Sequence, residues 1–493
     1  MFLTAFDLKL PKVEPFSHID RRPVSDLLIL PVWEDKTLAV PVSDLEKIVS
    51  GVLATNDFEA KLGDTLLVYQ GIAERRILLL GLGKPTELTS ESMRQAYFQA
   101  FQAVLSKKVK EIAVAVPKAS EHLYLAVLEA FYYAQYRFVE YKKEASPQAS
   151  LDTVHLLVDP HSDISDLIEE CEATFRSLFF VRDLVNRNAD EVNPPSFVHA
   201  ALQLASRFPK LTCTVLEKTQ IEELGMGLFL SVAKASAYPP YLIHLSYKGN
   251  PGSSDLTLFV GKAITFDTGG LHLKVANSMD TMRCDMAGGA TLLGLLPLLD
   301  HLKLGVNIDV LIPVCENAIG SSAFKPGDMI KSMKGIFVEI TSTDAEGRLC
   351  LADAITYGIQ NLKPSRIIDI ATLTGSMEIA LGTDISGFLT NSEPLAQAID
   401  IASTQSGELF WRMPLYQGYK ELLKSDQADI KSTGGRIGGA IIAALFLQEF
   451  VENHPWVHID IAGTAYLDKA RRYLGKGATG VGLKLLLEFC RRL

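Results

Sequence analysis

The sequence predicts an α/β protein of two domains, a smaller N-terminal α/β domain and a larger C-terminal α/β domain with a mainly parallel central sheet. The first reason is length, because 493 residues are enough for two or three domains of roughly 150 residues each. The second is that apolar runs typical of strands alternate with runs typical of helices in both parts of the chain. The third is the break at Asn193-Pro194-Pro195, because prolines interrupt such a pattern.

The N-terminal series of elements fits a small α/β module. Its strand-like runs are residues 27–32, 65–69, 76–82, 112–116 and 153–158, and its helical runs are residues 91–106 and 121–141. A further helical pattern at residues 163–185 is placed to connect two domains. We therefore predict an N-terminal domain over residues 1–160, a linking helix over 161–187 and a C-terminal domain over 188–493.

The C-terminal series repeats the alternation of strand-like and helical runs on a larger scale. Its strand-like runs are residues 211–216, 256–260, 305–314, 366–370 and 456–461. Strands that alternate with helices in this way are typical of βαβ units, in which neighbouring strands run parallel. The C-terminal domain is therefore expected to hold the mainly parallel sheet.

Bulk composition narrows the class of protein. A net charge of -10 and a pI near 5.6 argue against a surface that coats nucleic acid. The first residues do not resemble a secretory signal, and apolar runs such as residues 440–447 are far shorter than the about 18 residues of a spanning helix. Six cysteines without a Cys-x-x-Cys pair fit reduced thiols. We therefore expect a cytoplasmic protein without a membrane partner.

Residues 341–349, Thr-Ser-Thr-Asp-Ala-Glu-Gly-Arg-Leu, are the most informative stretch of the chain. Asp344, Glu346 and Arg348 alternate with small residues, so an extended backbone would point the three charges the same way. The stretch follows a strand-like run at residues 335–340. We expect that strand to end at the edge where open parallel sheets bind ligands.

A second stretch, residues 260–290, adds charged residues and glycines that suggest tight turns. Together the two stretches supply Lys262, Asp267, Lys274, Asp285, Asp344, Glu346 and Arg348. Their carboxylates form an oxygen-rich set that favours Mg²⁺, Mn²⁺ or Zn²⁺. Bare carboxylates in one pocket would raise one another's pKa strongly, whereas two dications would cancel their charge. The residues therefore favour a two-metal hydrolase.

In their spacing these residues resemble the leucyl aminopeptidase (cytosol aminopeptidase) family. The shared pattern is Gly-Lys262-x-Ile-Thr-Phe-Asp267-x-Gly-Gly, then Lys274, then Met-Asp-x-Met-x-x-Asp285-Met, then Thr-Asp344-Ala-Glu346-Gly-Arg348-Leu. Further matching segments include residues 371–375, 424–429, 460–464 and 476–480. The first 150 residues match only in general character. The resemblance implies that residues 188–493 form a peptidase domain with a dinuclear metal site.

The resemblance implies two divalent metal ions per subunit, Mn²⁺ or Zn²⁺ and, as a further option, Mg²⁺. The implied metal ligands are Lys262, Asp267, Asp285, Asp344 and Glu346. Asp267 and Glu346 would bridge the two ions. Asp344 would help to hold one of them, and Lys262 with Asp285 would help to hold the other. A lysine ligates metal only as the neutral amine, so Lys262 would have to lose its proton, which adjacent dications favour.

The implied catalytic residues are Lys274 and Arg348. Lys274 would stay protonated and stabilise the oxyanion of the tetrahedral intermediate. Arg348 would hold a bicarbonate that serves as general base, because its planar fork suits a carboxylate-like anion.

The resemblance also implies the substrate and the assembly. The protein would release N-terminal residues from peptides with a free amine, as part of intracellular peptide turnover. Met282 and residues 372–375 would line a pocket that favours leucine and other apolar side chains. The subunits would form a homohexamer.

Other interpretations stay open at this point. One is a narrow dipeptidase, for example for Cys-Gly, and another is an additional DNA-binding role, which the acidic balance disfavours. A third is a non-catalytic relative, against which the intact set of charged residues argues. A lone aspartate at a strand end is usually a cap or a surface group. We expect His272 to pack or to point to solvent, and we assign His454 and His458 to structure. Ala263 and Ser342 differ from the residues common in the family, but neither change removes a ligand.

Overall fold

A computed structural model describes residues 3–55, 57–69, 74–118, 120–143, 151–275 and 277–493. The chain divides into two compact units. One consists of Met1–Phe6, Ser177–Lys469 and Gly475–Leu493, and the other of Asp7–Arg176 and Ala470–Leu474. The two-domain α/β architecture expected from the sequence is confirmed. The finer division at residues 160 and 187 stays a prediction.

The smaller unit is built on a six-stranded sheet. Its strands are β1 (Lys12–Phe16), β2 (Leu27–Val32), β3 (Thr65–Val68), β4 (Ile77–Gly81), β5 (Glu111–Val114) and β6 (Thr153–Leu157). They lie in the order β1-β6-β5-β2-β4-β3, and all neighbours run parallel except β3 and β4. Strands β2 and β4 are buried along their whole length, which explains why they are continuous apolar runs in the sequence.

The helices of the first 186 residues are α1 (Thr4–Asp7), α2 (Glu46–Leu53), α3 (Ser90–Leu105), α4 (Glu121–Gln135) and α5 (Ser165–Asn186). Helix α4 ends earlier than the amphipathic pattern predicted, because the backbone at Tyr136 is already extended. The boundary between the two units falls inside α5, between Arg176 and Ser177. Helix α6 (Pro194–Arg207) begins at the proline pair that the sequence analysis took as a break. The Asn193 side chain caps it by accepting a hydrogen bond from the backbone of Ser196.

The larger unit contains the remaining strands and helices. The strands are β7 (Leu211–Leu216), β8 (Tyr241–Lys248), β9 (Thr257–Gly261), β10 (Ala263–Asp267), β11 (Asn307–Asn317), β12 (Met329–Lys331), β13 (Phe337–Glu339), β14 (Arg366–Ala371), β15 (Ser386–Thr390), β16 (Phe410–Arg412), β17 (Ile430–Lys431), β18 (Trp456–Asp460), β19 (Tyr466–Leu467) and β20 (Gly477–Ala478). The helices after α6 are α7 (Lys218–Glu223), α8 (Gly227–Ala233), α9 (Ala287–His301), α10 (Glu346–Leu362), α11 (Gly375–Leu381), α12 (Glu393–Ser406), α13 (Gly439–Gln448) and α14 (Leu483–Cys490).

The central sheet of the larger unit has nine strands, in the order β16-β15-β18-β14-β9-β11-β8-β7, with β10 paired to β11. Its middle, from β18 through β14 and β9 to β11, is parallel. Strands β8 and β7 continue it in antiparallel fashion. The prediction of a mainly parallel sheet is confirmed, and buried apolar residues of β9, β11, α10 and α13 pack into one core. Strands β9, β10, β14 and β18 all lead toward one edge of this sheet.

One expectation about the sheet was wrong. The strand before the 341–349 stretch is β13, which lies in a separate three-stranded sheet between β12 and β17. Phe337 at its start is 45% exposed, so this strand is not covered on both faces as a central parallel strand would be. A short apolar run does not encode which sheet it joins, because that depends on partners far away in the chain.

Two further expectations concern the membrane and the cysteines. Among the described residues, every helix is too short or too polar to cross a lipid bilayer. The six cysteines all lie in the described ranges, and none of them forms a disulfide.

Candidate metal centre

Glu346 and Arg348 lie in the first turn of α10, not on an extended backbone as the sequence predicted. Successive residues of a helix are rotated by about 100°, so two positions separated by one residue point in different directions. Glu346 accordingly contacts Lys262, whereas Arg348 donates to the Ser432 carbonyl. Asp344 precedes the helix and is the more exposed member, with 39% of its side chain accessible.

Glycines shape the segment that brings Lys274 back to the sheet. Strand β10 ends at Asp267, and Gly269 and Gly270 then adopt φ values of +85° and +66°. Such values favour glycine, and they turn the chain so that the backbone N–H of Lys274 donates to the Thr268 carbonyl at 3.0 Å. The glycine pair is the tight turn that the sequence suggested.

The structure brings six of the seven predicted residues together in two neighbouring groups of ion pairs. We call the two groups together the carboxylate–lysine cluster, and its members are Lys262, Asp267, Lys274, Asp285, Asp344 and Glu346. Lys262 Nζ lies 2.7 Å from Asp285 Oδ1 and 2.8 Å from Glu346 Oε1. Lys274 Nζ lies 2.6 Å from Asp267 Oδ2 and 2.7 Å from Asp344 Oδ1. Each ammonium group thus joins two carboxylates that are distant in sequence.

Burial and mutual repulsion set the ionisation of the carboxylates. Burial, reinforced by the charge of Glu346, raises the pKa of Asp267 to about 6. Burial also raises the pKa of Asp285 well above its usual value and that of Asp344 by a smaller amount. Burial opposes ionisation of Glu346 as well, but Lys262 and Lys274 outweigh it and lower the pKa of that carboxyl. The cluster therefore holds excess negative charge that further cations would relieve.

The two lysines balance part of this charge. Burial favours the neutral amine of Lys262, but the charges of Asp285 and Glu346 outweigh it and raise the pKa of the ammonium well above its usual value. The same opposition, with Asp267 as the largest attraction, raises the pKa of Lys274. Both ammonium groups thus occupy positions where positive charge is strongly favoured.

The donor set fits divalent ions. One carboxylate oxygen from each of Asp267, Asp344 and Glu346 lies within 4.8 Å of the others. Asp285 Oδ2 and Glu346 Oε2 are buried and have no hydrogen-bond partner in the described part of the chain. Buried carboxylate oxygens without partners are costly, and oxygen ligands suit hard or borderline cations. The donor set of the cluster therefore fits divalent metal ions.

Arg348 lies apart from the lysine ion pairs, in a buried position of its own. Its Nη1 donates to the Ser432 carbonyl at 2.9 Å, and its Nε is buried without a hydrogen-bond partner among the described residues. Burial lowers the pKa of its guanidinium to about 10, so the group remains protonated at neutral pH. A buried cation with a spare donor is suited to a small anion.

Two residues that the sequence analysis did not assign to the metal site hold the carboxylates in place. Asn317 Nδ2 donates to Asp267 Oδ1 at 2.8 Å, and the Thr372 hydroxyl donates to Asp285 Oδ1 at 2.7 Å. The Thr372 carbonyl also accepts from Lys262 Nζ at 2.9 Å. Asn317 is the polar last residue of the buried strand β11, and this position was the only signal that could have revealed it. Thr372 was noted as a pocket residue and not for these contacts.

The histidines serve structural contacts. His272 is exposed, yet its Nδ1 accepts from the backbone N–H of Thr343 at 3.1 Å. It thereby ties the loop of Lys274 to the turn before α10. His458 is fully buried, and its Nδ1 lies 2.6 Å from Asp369 Oδ1. This buried contact fits the assignment of His458 to structure.

Comparisons with known proteins identify the family of this chain. The sequence model described as cytosol aminopeptidase family, catalytic domain, matches residues 179–487, and the one for the N-terminal domain of that family matches residues 29–145. A probable cytosol aminopeptidase of Protochlamydia amoebophila (strain UWE25) is 42% identical over 490 residues, covering 97% of this chain and 98% of the relative. A probable cytosol aminopeptidase of Chlamydia caviae is 41% identical and covers 96% of this chain and 97% of its own.

A solved structure is also similar. The bottromycin maturation enzyme BotP in complex with Mn superposes with a TM-score of 0.84 at 30% sequence identity. The match covers 95% of this chain and 99% of that one.

Proposed function

This chain belongs to the cytosol aminopeptidase family, and from that premise we propose that it is a metal-dependent aminopeptidase that prefers leucine and other apolar N-terminal residues. The family supports peptidase activity on peptides. The observation that carries the metal dependence is the carboxylate–lysine cluster, whose buried oxygens Asp285 Oδ2 and Glu346 Oε2 lack partners in the described part of the chain. Peptide turnover in the cytoplasm, by a homohexamer, completes the proposal.

We assign the metal ligands as the family resemblance implies. Asp267 and Glu346 would bridge two divalent ions, Asp344 would help to hold one, and Lys262 with Asp285 the other. The contacts of Lys262 with Asp285 and Glu346 support the second group, and the close approach of the oxygens of the acidic residues supports the first. When bound, two dications of Mn²⁺, Zn²⁺ or Mg²⁺ supply Lewis acidity that lowers the pKa of a water molecule and polarises a peptide carbonyl.

The two lysines have different tasks in this proposal. Lys262 is the more buried of the two, with 3% of its side chain exposed against 14% for Lys274. Lys262 would bind as the neutral amine, because neighbouring dications repel its proton. Lys274 would keep its proton and donate to the developing oxyanion of the tetrahedral intermediate. The greater access of Lys274 to the open side of the cluster supports this assignment.

Arg348 would hold a bicarbonate ion that serves as the general base. The buried Nε without a partner and the guanidinium, protonated at neutral pH, support a planar oxyanion at this position. Held there by Arg348, such an ion would supply general-base chemistry beside the carboxylate–lysine cluster.

We place the pocket for the first side chain of the substrate at the same edge of the central sheet. Met282 and Leu373 are partly buried and lie in the segments assigned to the pocket for the first side chain. Their apolar surfaces favour leucine and similar residues. The proposed activity requires a substrate with a free α-amino group, so a blocked amine should prevent turnover.

The test is hydrolysis of leucine p-nitroanilide by the purified protein, with and without added Mn²⁺ or Zn²⁺. The N-acetylated analogue and an exhaustively chelated sample are the controls. We expect turnover of the free-amine substrate only, and only with metal. Turnover of Cys-Gly without turnover of the anilide would replace the proposal with a narrow dipeptidase. No hydrolysis of either substrate by folded, metal-loaded protein would refute the peptidase activity.

A further inference from the structure

A buried carboxylate that is not part of the carboxylate–lysine cluster ends β18, the strand next to β14. Asp460 is the last residue of β18 and is fully buried. Strand β18 runs parallel to β14, and Asp460 is opposite Ala371 in register. Because both strands end at this level, Asp460 lies beside residues 372–374, which leave β14 for α11.

The Asp460 side chain holds residues 372–374 in place by accepting hydrogen bonds from uncharged donors. Its Oδ1 accepts from the backbone N–H groups of Leu373 and Ala462, both at 3.1 Å. Its Oδ2 accepts from the hydroxyl of Thr374 at 2.7 Å. The contacts to Leu373 and Thr374 restrain both the backbone and a side chain of the segment.

The fastened segment meets the cluster through Thr372. The hydroxyl of Thr372 donates to Asp285 Oδ1 at 2.7 Å, and its carbonyl accepts from Lys262 Nζ at 2.9 Å. Asp285 and Lys262 are the two residues assigned above to one metal ion. A displacement of residues 372–374 would therefore move the partners of both.

We infer that Asp460 is a positioning residue that controls the affinity of the ion held by Lys262 and Asp285. This inference rests on the proposed function, because that function supplies the metal assignment. Asp460 acts through residues 372–374, which orient a ligand carboxylate and a ligand amine. Groups that orient metal ligands in this way typically change metal affinity by about 10- to 100-fold when they are removed.

Two substitutions of Asp460 distinguish the loss of its hydrogen bonds from the loss of its carboxylate. Asp460→Asn keeps an oxygen for the Leu373 and Ala462 N–H groups, and its amide donates to Thr374 Oγ1, which has a free lone pair. Asp460→Ala removes all three contacts and leaves the partly buried N–H groups of Leu373 and Ala462 without this acceptor. Positioning by hydrogen bonds therefore predicts that asparagine rescues what alanine loses.

The experiment measures Mn²⁺ binding to the chelated full-length protein by isothermal titration calorimetry. The Asp285→Ala variant identifies which binding event belongs to the Lys262 and Asp285 ion. We expect Asp460→Ala to weaken that event by about 10- to 100-fold, the usual range for such groups, and to leave the other event within about twofold. Asp460→Asn should restore most of the affinity.

A matched control is Asp369→Asn. Asp369 is a fully buried aspartate on the adjacent strand β14 that contacts Trp456 and His458. We expect this variant to bind both ions as the wild type does. If Asp460→Ala does not fold, Thr374→Val tests the same inference, because it removes one donor to Asp460 and should weaken the same event by about tenfold. It also removes the N-cap of α11, which accepts from the Met377 N–H, so Thr374→Ser, which keeps both contacts, is measured beside it and should bind as the wild type does.

The outcomes separate this inference from the proposed function. Unchanged binding of both ions by folded Asp460→Ala, or equal weakening of both, would overturn the positioning role alone. A wild type that binds two ions but hydrolyses no peptide would refute the peptidase and leave the positioning role supported by the binding data. A wild type that binds fewer than two Mn²⁺ ions would overturn the two-ion assignment and with it the positioning role, whereas the hydrolysis test alone decides the peptidase activity.

Discussion

At the scale of single residues, Gly347 shows how little space the cluster leaves. It lies in the first turn of α10, between Glu346 and Arg348. A Cβ at this position would lie 2.5 Å from Lys262 Cε and 2.8 Å from its Nζ. The absence of a side chain at residue 347 is therefore what allows Lys262 to reach its carboxylates.

We expect Gly347→Ala to displace Lys262 and to weaken Mn²⁺ binding by at least about tenfold, the lower end of the range for lost ligand orientation. The backbone conformation is helical, so the substitution should not lower the free energy of unfolding through helix propensity. Calorimetric titration with Mn²⁺ and a thermal melt measure the two quantities. The control is Gly51→Ala in α2, whose added Cβ would meet no atom within 4 Å. Unchanged metal binding in Gly347→Ala would show that Lys262 tolerates the methyl group.

The assignment of Lys274 as an oxyanion donor gives a second prediction. Lys274→Ala should lower kcat by roughly 10²- to 10³-fold, the scale of losing one such donor, with both metal ions still bound. Steady-state kinetics and metal analysis of the purified variant measure these quantities. Lys47→Ala, at an exposed position of α2, is the control and should match the wild type. Loss of a metal ion from Lys274→Ala would instead place Lys274 among the ligands.

Substitution of Glu346 gives the most direct test of the proposed bridging ligands. Glu346→Ala removes an oxygen from each proposed ion and a partner of Lys262. We expect nearly complete loss of turnover from a protein that remains folded. Circular dichroism and leucine p-nitroanilide hydrolysis at saturating Mn²⁺ measure both properties. Substantial activity of the metal-saturated variant would contradict the bridging role.

At the scale of elements, α10 connects the cluster to the core through Asp353. This fully buried carboxylate accepts from the backbone N–H groups of Phe229, in the first turn of α8, and Met333, at 3.0 and 2.8 Å. Burial outweighs these hydrogen bonds and raises the pKa of Asp353 from an ordinary 3.8 to about 7. The folded protein therefore binds this proton more tightly than the unfolded chain does.

The sign of the resulting pH dependence follows from linkage. Between the unfolded pKa of 3.8 and the folded pKa of about 7, the folded state holds the proton that the unfolded state has lost. The contribution of Asp353 to stability is thus fully present below the lower pKa and is lost as pH rises through the higher one. Asp353→Asn should lack this pH-dependent contribution, so the free energy of unfolding of the variant, relative to that of the wild type, should rise between pH 4 and pH 7. Urea unfolding of both metal-free proteins across that range measures it, and a constant difference would refute the raised pKa.

The positions of strands and helices were easier to predict from the sequence than the elements with which they pack. The runs at 27–32 and 211–216 match β2 and β7, because burial on one or both faces leaves a pattern in the residues themselves. The stretch 344–348 was expected to be extended, but it turns into α10 at Glu346. Alternation of charged and small residues suits a strand and also the first turn of a helix, and packing of the rest of α10 decides between them.

At the scale of the whole molecule, the lysines of the cluster bear on the stability of metal-free protein. Lys262 and Lys274 each pair with two carboxylates, so part of the negative charge is balanced without any ion. We expect exhaustive chelation to abolish turnover while the protein still unfolds cooperatively. Added Mn²⁺ should then raise the unfolding free energy by about 2.7 kcal/mol at a concentration 100 times its Kd for one site. Thermal melts at several Mn²⁺ concentrations measure this, and loss of structure on chelation would contradict it.

The sequence by itself determined the α/β class, the two-domain organisation and the family, because periodicity, composition and motif spacing are local properties of the chain. It also indicated the charged residues of the cluster, since their types and spacing are written in two short stretches. Only the tertiary structure decided that β13 leaves the central sheet, that Arg348 lies apart from the lysine ion pairs, and that Asn317 and Thr372 orient the carboxylates. These contacts join residues 50 to 110 positions apart, and packing of whole elements sets such distances, which no local pattern encodes.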